Sequence, residues 1–328
     1  MTGPRDLGRQ LELFTALISH PGYRPEAVAR AKNLMEIALN AGDYAPADVL
    51  AANLPEMLHG DDHRWAVVPS RMRLTSTKPS DLADMLDDAL KAGALEVTIV
   101  GDVAVDQAIT EVARTLATLP ARADPLPEPA TSPTLRPPSG GPPIVLTHKG
   151  RPDQAIAYIE WPTNDFYANP HESHVVVIAA GILQNRLIDR VRVTEGATYA
   201  PGAESNSSSE LLGFGYLQAS VEIPPAKIEG FYRDVDAIVS DLGRNPPTAD
   251  EVLRARAPLV DAETRARETL DFWSYFLAKS QADPRELDAI RRKIPDYNSV
   301  TAAEITAVCR KYLTAERAWK VIVRRAAD

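Results

Sequence analysis

The side chains with the widest chemical reach are six histidines, at positions 20, 59, 63, 148, 171 and 174, and one cysteine, Cys309. Imidazoles ligate metals and move protons near neutral pH, and a thiolate is a nucleophile. His171-Glu-Ser-His174 puts two imidazoles three residues apart near a helix start. That spacing suits two ligands of one metal, but no third ligand is indicated, and both read as surface histidines. His59-Gly-Asp-Asp-His63 reads as a polar loop, and Cys309, inside an apolar helical pattern, as an inert core thiol. A single cysteine excludes an internal disulfide and a thiolate-rich metal centre. The run Ser205–Ser209 lacks a Gly-x-Ser-x-Gly elbow and reads as a hairpin loop. Gly101-Asp102 is a tight turn, because no glycine series follows to cradle phosphate. The pairs Asp87-Asp88 and Arg324-Arg325 read as solvated faces.

The elements that must position these groups fall on either side of a proline-rich run, Leu119 to Pro143, in which apolar periodicity disappears. Residues 121–143 are taken as a linker between a region at 1–120 and a domain at 144–328. In the first region, residues 5–19, 25–40 and 46–58 have helical apolar spacing, with Pro25 and Pro46 at first-turn positions. A further helix is expected from Ser80, as its cap, to Lys91, ended by Gly93, and another from Val105 to Leu116. Leu95–Val100, LEVTIV, is expected as a buried strand. One strand among five helices has nothing to pair with, so this region reads as the incomplete back half of a domain. The second region gives strands at 144–148, 154–161, 197–204, 213–223 and 319–324. Helices are expected at 169–191, 226–242 and 248–266, then a long helical tract from Thr269 and a last helix headed by a Thr301/Glu304 capping box. That order is an α+β domain with helices on one face of a mainly antiparallel sheet.

The net charge of −9 argues against nucleic acid as a partner, and no stretch approaches the length of a membrane span.

Three stretches carry a family likeness: GDVAVDQAITEVARTLATLPAR at 101–122, THKGRPDQAIAYIEWPT at 147–163 and LQNRLIDRVRVTEGATYAPG at 183–202. They resemble the later domains of bacterial pitrilysin/insulinase-type zinc metallopeptidases, and residues 6–70 resemble the helical back half of a third domain of such proteins. The resemblance implies repeated α+β domains closing around a peptide-holding chamber, with zinc bound only by the H-x-x-E-H motif of a first domain. None of the six histidines here begins that motif. The expectation is therefore a non-catalytic C-terminal part, with no cofactor of its own and zinc in a catalytic half, that does not cleave peptides alone.

The same resemblance assigns Arg192 and Tyr199 to substrate binding, facing the zinc site across the chamber. A guanidinium and a phenol can both donate to a carbonyl oxygen that gains charge during hydrolysis. Gly196 would end the helix between them. Family members commonly carry an acidic residue where this chain has Val193, so the orientation of Arg192 is open, and Arg190 is a substitute for it. Implied partners are the catalytic half, in the same chain or a separate one, a peptide substrate held partly by an exposed strand edge, and a second copy through the incomplete sheet. The alternative function is a scaffold subunit of the same fold with no part in proteolysis. The start of the sequence lacks the regions of a signal peptide. Export is thus unassigned by this chain, although similar full-length bacterial proteins often work in the cell envelope.

Overall fold

The computed structural model describes residues 6–123, 134–195 and 200–326, with backbone alone at 191–195. The chain divides into two compact units, one of residues 1–37, 70–130 and 264–288, the other of residues 38–69, 131–263 and 289–328.

The first unit is helical. It contains α1 (Leu7–Ser19), the start of α2 (Pro25–Gly42), α4 (Arg71–Ser76), α5 (Pro79–Ala92), α6 (Val105–Arg114) and α10 (Leu270–Ala282). Its core is small: Leu7, Leu11 and Leu116, with Ile18, Ile99 and Val112 packed against them. Helix α5 starts at Pro79, and the cap expected of Ser80 is supplied by Asp81, whose carboxylate accepts from the Lys78 N–H at 2.8 Å. Gly93 ends it as expected, its N–H returning to the Ala89 carbonyl at 2.9 Å. The strand expected at Leu95–Val100 is not formed: these residues join no ladder, and Leu95 and Val97 are 40% and 38% exposed. β-branched composition favours a pleated surface only where a second strand is available to accept it.

The second unit holds a five-stranded sheet in the order β1-β5-β2-β4-β3, of β1 (Ile144–His148), β2 (Ala155–Thr163), β3 (Gly202–Ser207), β4 (Gly215–Ile223) and β5 (Trp319–Arg325). Only β1 and β5 are parallel. Helices α7 (Pro170–Glu195), α8 (Ile228–Leu242) and α12 (Ala302–Tyr312) cover one face, where Ile159, Trp161, Leu183, Val235 and Ile305 lie in one buried cluster. Helix α3 (Pro46–Leu58) lies over part of the other face, against Ile156, Tyr158, Val321 and Val323. With both faces covered, all nine residues of β2 are buried. Two helices complete the layer: α9 (Ala249–Ala266) and α11 (Arg285–Ser299), each crossing into the first unit. Gly181 lets α7 and α9 approach closely, since a Cβ there would sit 3.2 Å from that of Ala255.

The serine run is a loop only in part: Ser205 and Ser207 belong to β3, in register with Leu217 and Gly215 of β4, and Ser208 and Ser209 enter the β3–β4 loop, where Ser208 Oγ accepts from the Leu211 N–H at 2.8 Å. Cys309 is buried in the core, and burial pushes its thiol up to about 12, so it stays protonated and inert.

Candidate functional site

Helix α7 is the element on which the candidate substrate residues depend. Its apolar face, Val175, Ile178, Ala179, Ile182, Leu183 and Leu187, follows helical spacing and is buried against the sheet. Polar groups fix the helix along its length. At the start, the His171 Nδ1 and His174 Nδ1 atoms meet the two oxygens of Asp296 in α11 at 3.1 and 2.8 Å. His171 Nε2 meets Glu304 of α12 at 2.9 Å, and Glu304 is itself half of the expected capping box, its carboxylate taking the Thr301 N–H at 2.8 Å. Midway, Arg186 forks between Glu251 and Asp241, both at 2.7 Å, and holds the Glu251 carboxyl down to about 2. Near the end, Arg190 Nε lies 2.8 Å from Asp234 of α8. Gln184 Oε1 accepts from the Ala203 N–H at 3.1 Å, tying α7 to the edge strand β3.

The backbone of Arg192 lies in the last turns of this anchored helix. Its side chain, Gly196 and Tyr199 lie outside the described residues.

Several histidines differ from their sequence reading. His174 is 4% exposed and His171 part-buried, so they are bridges between helices and not surface groups. They do not fit a zinc centre: both Nδ1 atoms are spent on one carboxylate, and among the described residues no group of three or more candidate ligands is placed to hold a metal. The segment from His59 to His63 forms the polar turn expected after α3, but the His59 ring is buried, stacked between Trp65 and Phe214 with ring centroids 3.6 and 4.5 Å away. His148, also buried, accepts the Gly150 N–H at Nδ1, which leaves Nε2 to donate to the Gln154 carbonyl at 2.8 Å and closes the β1–β2 turn.

The two α7 histidines respond to pH in opposite senses. Burial alone would lower His171, but the Glu304 and Asp296 carboxylates outweigh it and leave the value raised. Its contribution to stability is complete below the unfolded value near 6.5 and fades as pH rises through the folded one. Burial lowers His174, only partly offset by Asp296, so its cost appears as pH falls below that same unfolded value. Asp296→Ala removes the acceptor of both rings and is expected to cost about 1–3 kcal/mol at pH 6.5, measured by urea unfolding. A loss indistinguishable from zero would mean that these bonds do not anchor α7.

A second unusual group was invisible to pattern reading. Glu160, in the central strand β2, is fully buried and has Gln218 and Trp319 as its register partners on β4 and β5. The Tyr158 hydroxyl donates to its Oε2 at 2.5 Å, while Oε1 and the Oε1 of Gln218 are buried without a hydrogen-bond partner. Burial pushes the Glu160 carboxyl up to about 8, with the Tyr158 bond opposing, so it carries a proton at neutral pH. The same row continues to Glu204 on β3, which accepts from Gln218 Nε2 at 2.5 Å on the exposed edge.

The family described as peptidase M16 inactive domain matches residues 78–259, more than half of the chain. A comparison with curated proteins finds no match. Solved structures similar to this one include a protease from Helicobacter pylori, at 14% identity and TM-score 0.79 over 98% of this chain and 78% of that one. The periplasmic protease PqqL from Escherichia coli is similar at 13% identity and TM-score 0.69, over 92% of this chain and 33% of its own. A mutant of the ferredoxin protease FusC in complex with Arabidopsis ferredoxin follows at 16% identity and TM-score 0.74, over 99% and 35%. The chain thus spans about a third of the length of PqqL and of FusC. Among the described residues no helix is long and apolar enough to cross a membrane.

Proposed function

The chain belongs to the peptidase M16 inactive-domain family, and from that premise we propose that it walls the substrate chamber of a pitrilysin/insulinase-type zinc peptidase and holds the peptide. Zinc and the base that activates its water belong to a catalytic half, continuous with this chain or separate. In this reading Arg192 and Tyr199 bind substrate, and residues 121–143 link an incomplete domain to the complete one at 144–328.

The observation that carries the reading is the anchoring of α7. Ion pairs at its start, middle and penultimate turn, together with the Gln184 bond to β3, fix the direction in which the helix ends. Substrate-holding groups need that rigidity, because a displacement of about 1 Å costs on the order of 100-fold in rate. Arg192 on the last turns and Tyr199 just beyond can then converge on one carbonyl, as two donors to an oxygen that becomes negative in the transition state. PqqL is a periplasmic protease, which favours a parent peptidase in the bacterial cell envelope, and FusC was solved with ferredoxin bound, which favours a polypeptide as what the chamber holds.

The test is hydrolysis of a mixed peptide library with added zinc by this chain, by the catalytic half, and by the two together. Activity confined to the mixture supports the reading. Activity of this chain alone overturns it, and a catalytic half that binds this chain yet gains nothing identifies a scaffold.

A further inference from the structure

Strand β3 lies at the edge of the sheet and pairs on one side only, with β4. Main-chain groups along an antiparallel strand point alternately to its two sides. Just past β3, the Ser208 N–H donates to the Phe214 carbonyl at 2.9 Å, so the even-numbered N–H groups turn towards β4 and that of Ala203 turns away from it. Ala203 is buried, and a buried N–H without a partner is costly. Its partner is a side chain: Gln184 of α7, 19 residues away in sequence, whose Oε1 accepts from it at 3.1 Å. Gln184 is half-buried beside Leu183 and Leu187 of the apolar face, where an apolar side chain could pack but could not accept.

This bond joins two elements on either side of the candidate substrate pair. Arg192 follows Gln184 on the last turns of α7, and Tyr199 precedes Ala203 shortly before β3 begins. On the helix side, Arg186 and Arg190 are held by Glu251 and Asp234. The strand side is held less firmly, because β3 has ladder bonds to one neighbour only, and a Cβ on its first residue, Gly202, would meet no atom within 4 Å. We propose that Gln184 is a positioning residue, whose bond to Ala203 fixes the span from the last turns of α7 to the start of β3 and thereby the spacing of Arg192 and Tyr199. This rests on the reading in which that pair holds substrate, and it names a residue on which their spacing depends. Two donors that must reach one carbonyl oxygen tolerate little error, since a misplacement of about 1 Å costs on the order of 100-fold. The ion pairs of α7 join helix to helix, whereas this bond reaches the strand beyond Tyr199.

The test compares Gln184→Met, which keeps the side-chain length and removes the acceptor, with Gln184→Glu, which keeps an acceptor. In amide hydrogen exchange on the isolated chain, the Ala203 N–H should exchange at least about 10-fold faster in Gln184→Met and near the parental rate in Gln184→Glu, with the Ala219 amide of β4 unchanged in both. An Ala203 amide that stays equally slow in Gln184→Met would mean that the bond is not made, overturning the inference and leaving the accessory-half reading intact. In the mixture with the catalytic half, Gln184→Met should lower kcat about 10-fold at nearly constant KM, and Gln184→Glu should stay within about 3-fold of the parent. The deciding measurement repeats Gln184→Met in a Tyr199→Phe background. A residue that acts by placing the Tyr199 hydroxyl loses most of its effect once that hydroxyl is gone, whereas a merely structural one multiplies with it. An equal loss in both backgrounds therefore overturns the inference, as do unchanged kinetics in Gln184→Met. A parent chain that gives the catalytic half no activity sinks the inference and the reading together.

Discussion

Glu160→Gln should make the protein more stable than its parent at pH 8 and leave the two nearly equal at pH 5. The carboxyl is held protonated in the folded state, with its value raised to about 8 from 4.5. The folded chain therefore keeps a proton that the unfolded chain releases, and stability declines as pH climbs from the unfolded value to the folded one. At about 1.4 kcal/mol per pH unit, the loss across that window is of the order of 5 kcal/mol. Glutamine keeps the shape without the proton. Its carbonyl can accept from the Tyr158 hydroxyl, and its amide can donate towards the partnerless oxygen of Gln218 on the adjacent strand. The expected gain at pH 8 is about 2–4 kcal/mol, which corresponds to about 5–15 °C in melting temperature for a unit of this size. The measurement is urea unfolding of parent and variant from pH 5 to 9. Parallel pH curves would show that Glu160 does not stay protonated in the folded protein.

Arg192→Ala is expected to lower turnover by the reconstituted peptidase by about 100- to 1,000-fold, the range seen when one donor to a developing oxyanion is removed. Tyr199→Phe deletes a single hydroxyl without changing ring packing and should cost on the order of 100-fold by the same mechanism. If both groups meet the charge that forms only in the transition state, kcat and kcat/KM fall together and KM hardly moves. Arg192→Lys keeps the charge but not the planar fork, so it should restore part of the loss. A rise in KM at constant kcat would instead make the pair simple peptide anchors. Unchanged kinetics in an intact complex would remove both residues from the substrate site.

Much of the architecture was legible locally. The helical spacing of Val175, Ile178, Ile182 and Leu183 foretold α7 to within a few residues, and the Thr301/Glu304 box marked the start of α12. Alternation at 155–161 and 215–223 likewise located β2 and β4. These signals are local because a helix or strand repeats its burial over a few residues. The α7 anchors were not legible. Asp296 lies 125 residues from His171 and 122 from His174, and Asp241 lies 55 from Arg186. Nothing in an isolated acidic residue announces which distant base it will meet.

By itself the sequence determined the class of fold, the absence of an H-x-x-E-H zinc motif, the core position of Cys309 and the family likeness borne by residues 101–122, 147–163 and 183–202. These depend on composition, period and order, which the chain carries before it folds. Only the tertiary structure decided that Glu160 is a neutral acid inside a sheet, that His171 and His174 share one carboxylate, that His59 lies between two rings, and that Leu95–Val100 stands without a strand beside it. Charge state and backbone pairing depend on which distant surfaces exclude water from a group, and that is set when the elements meet.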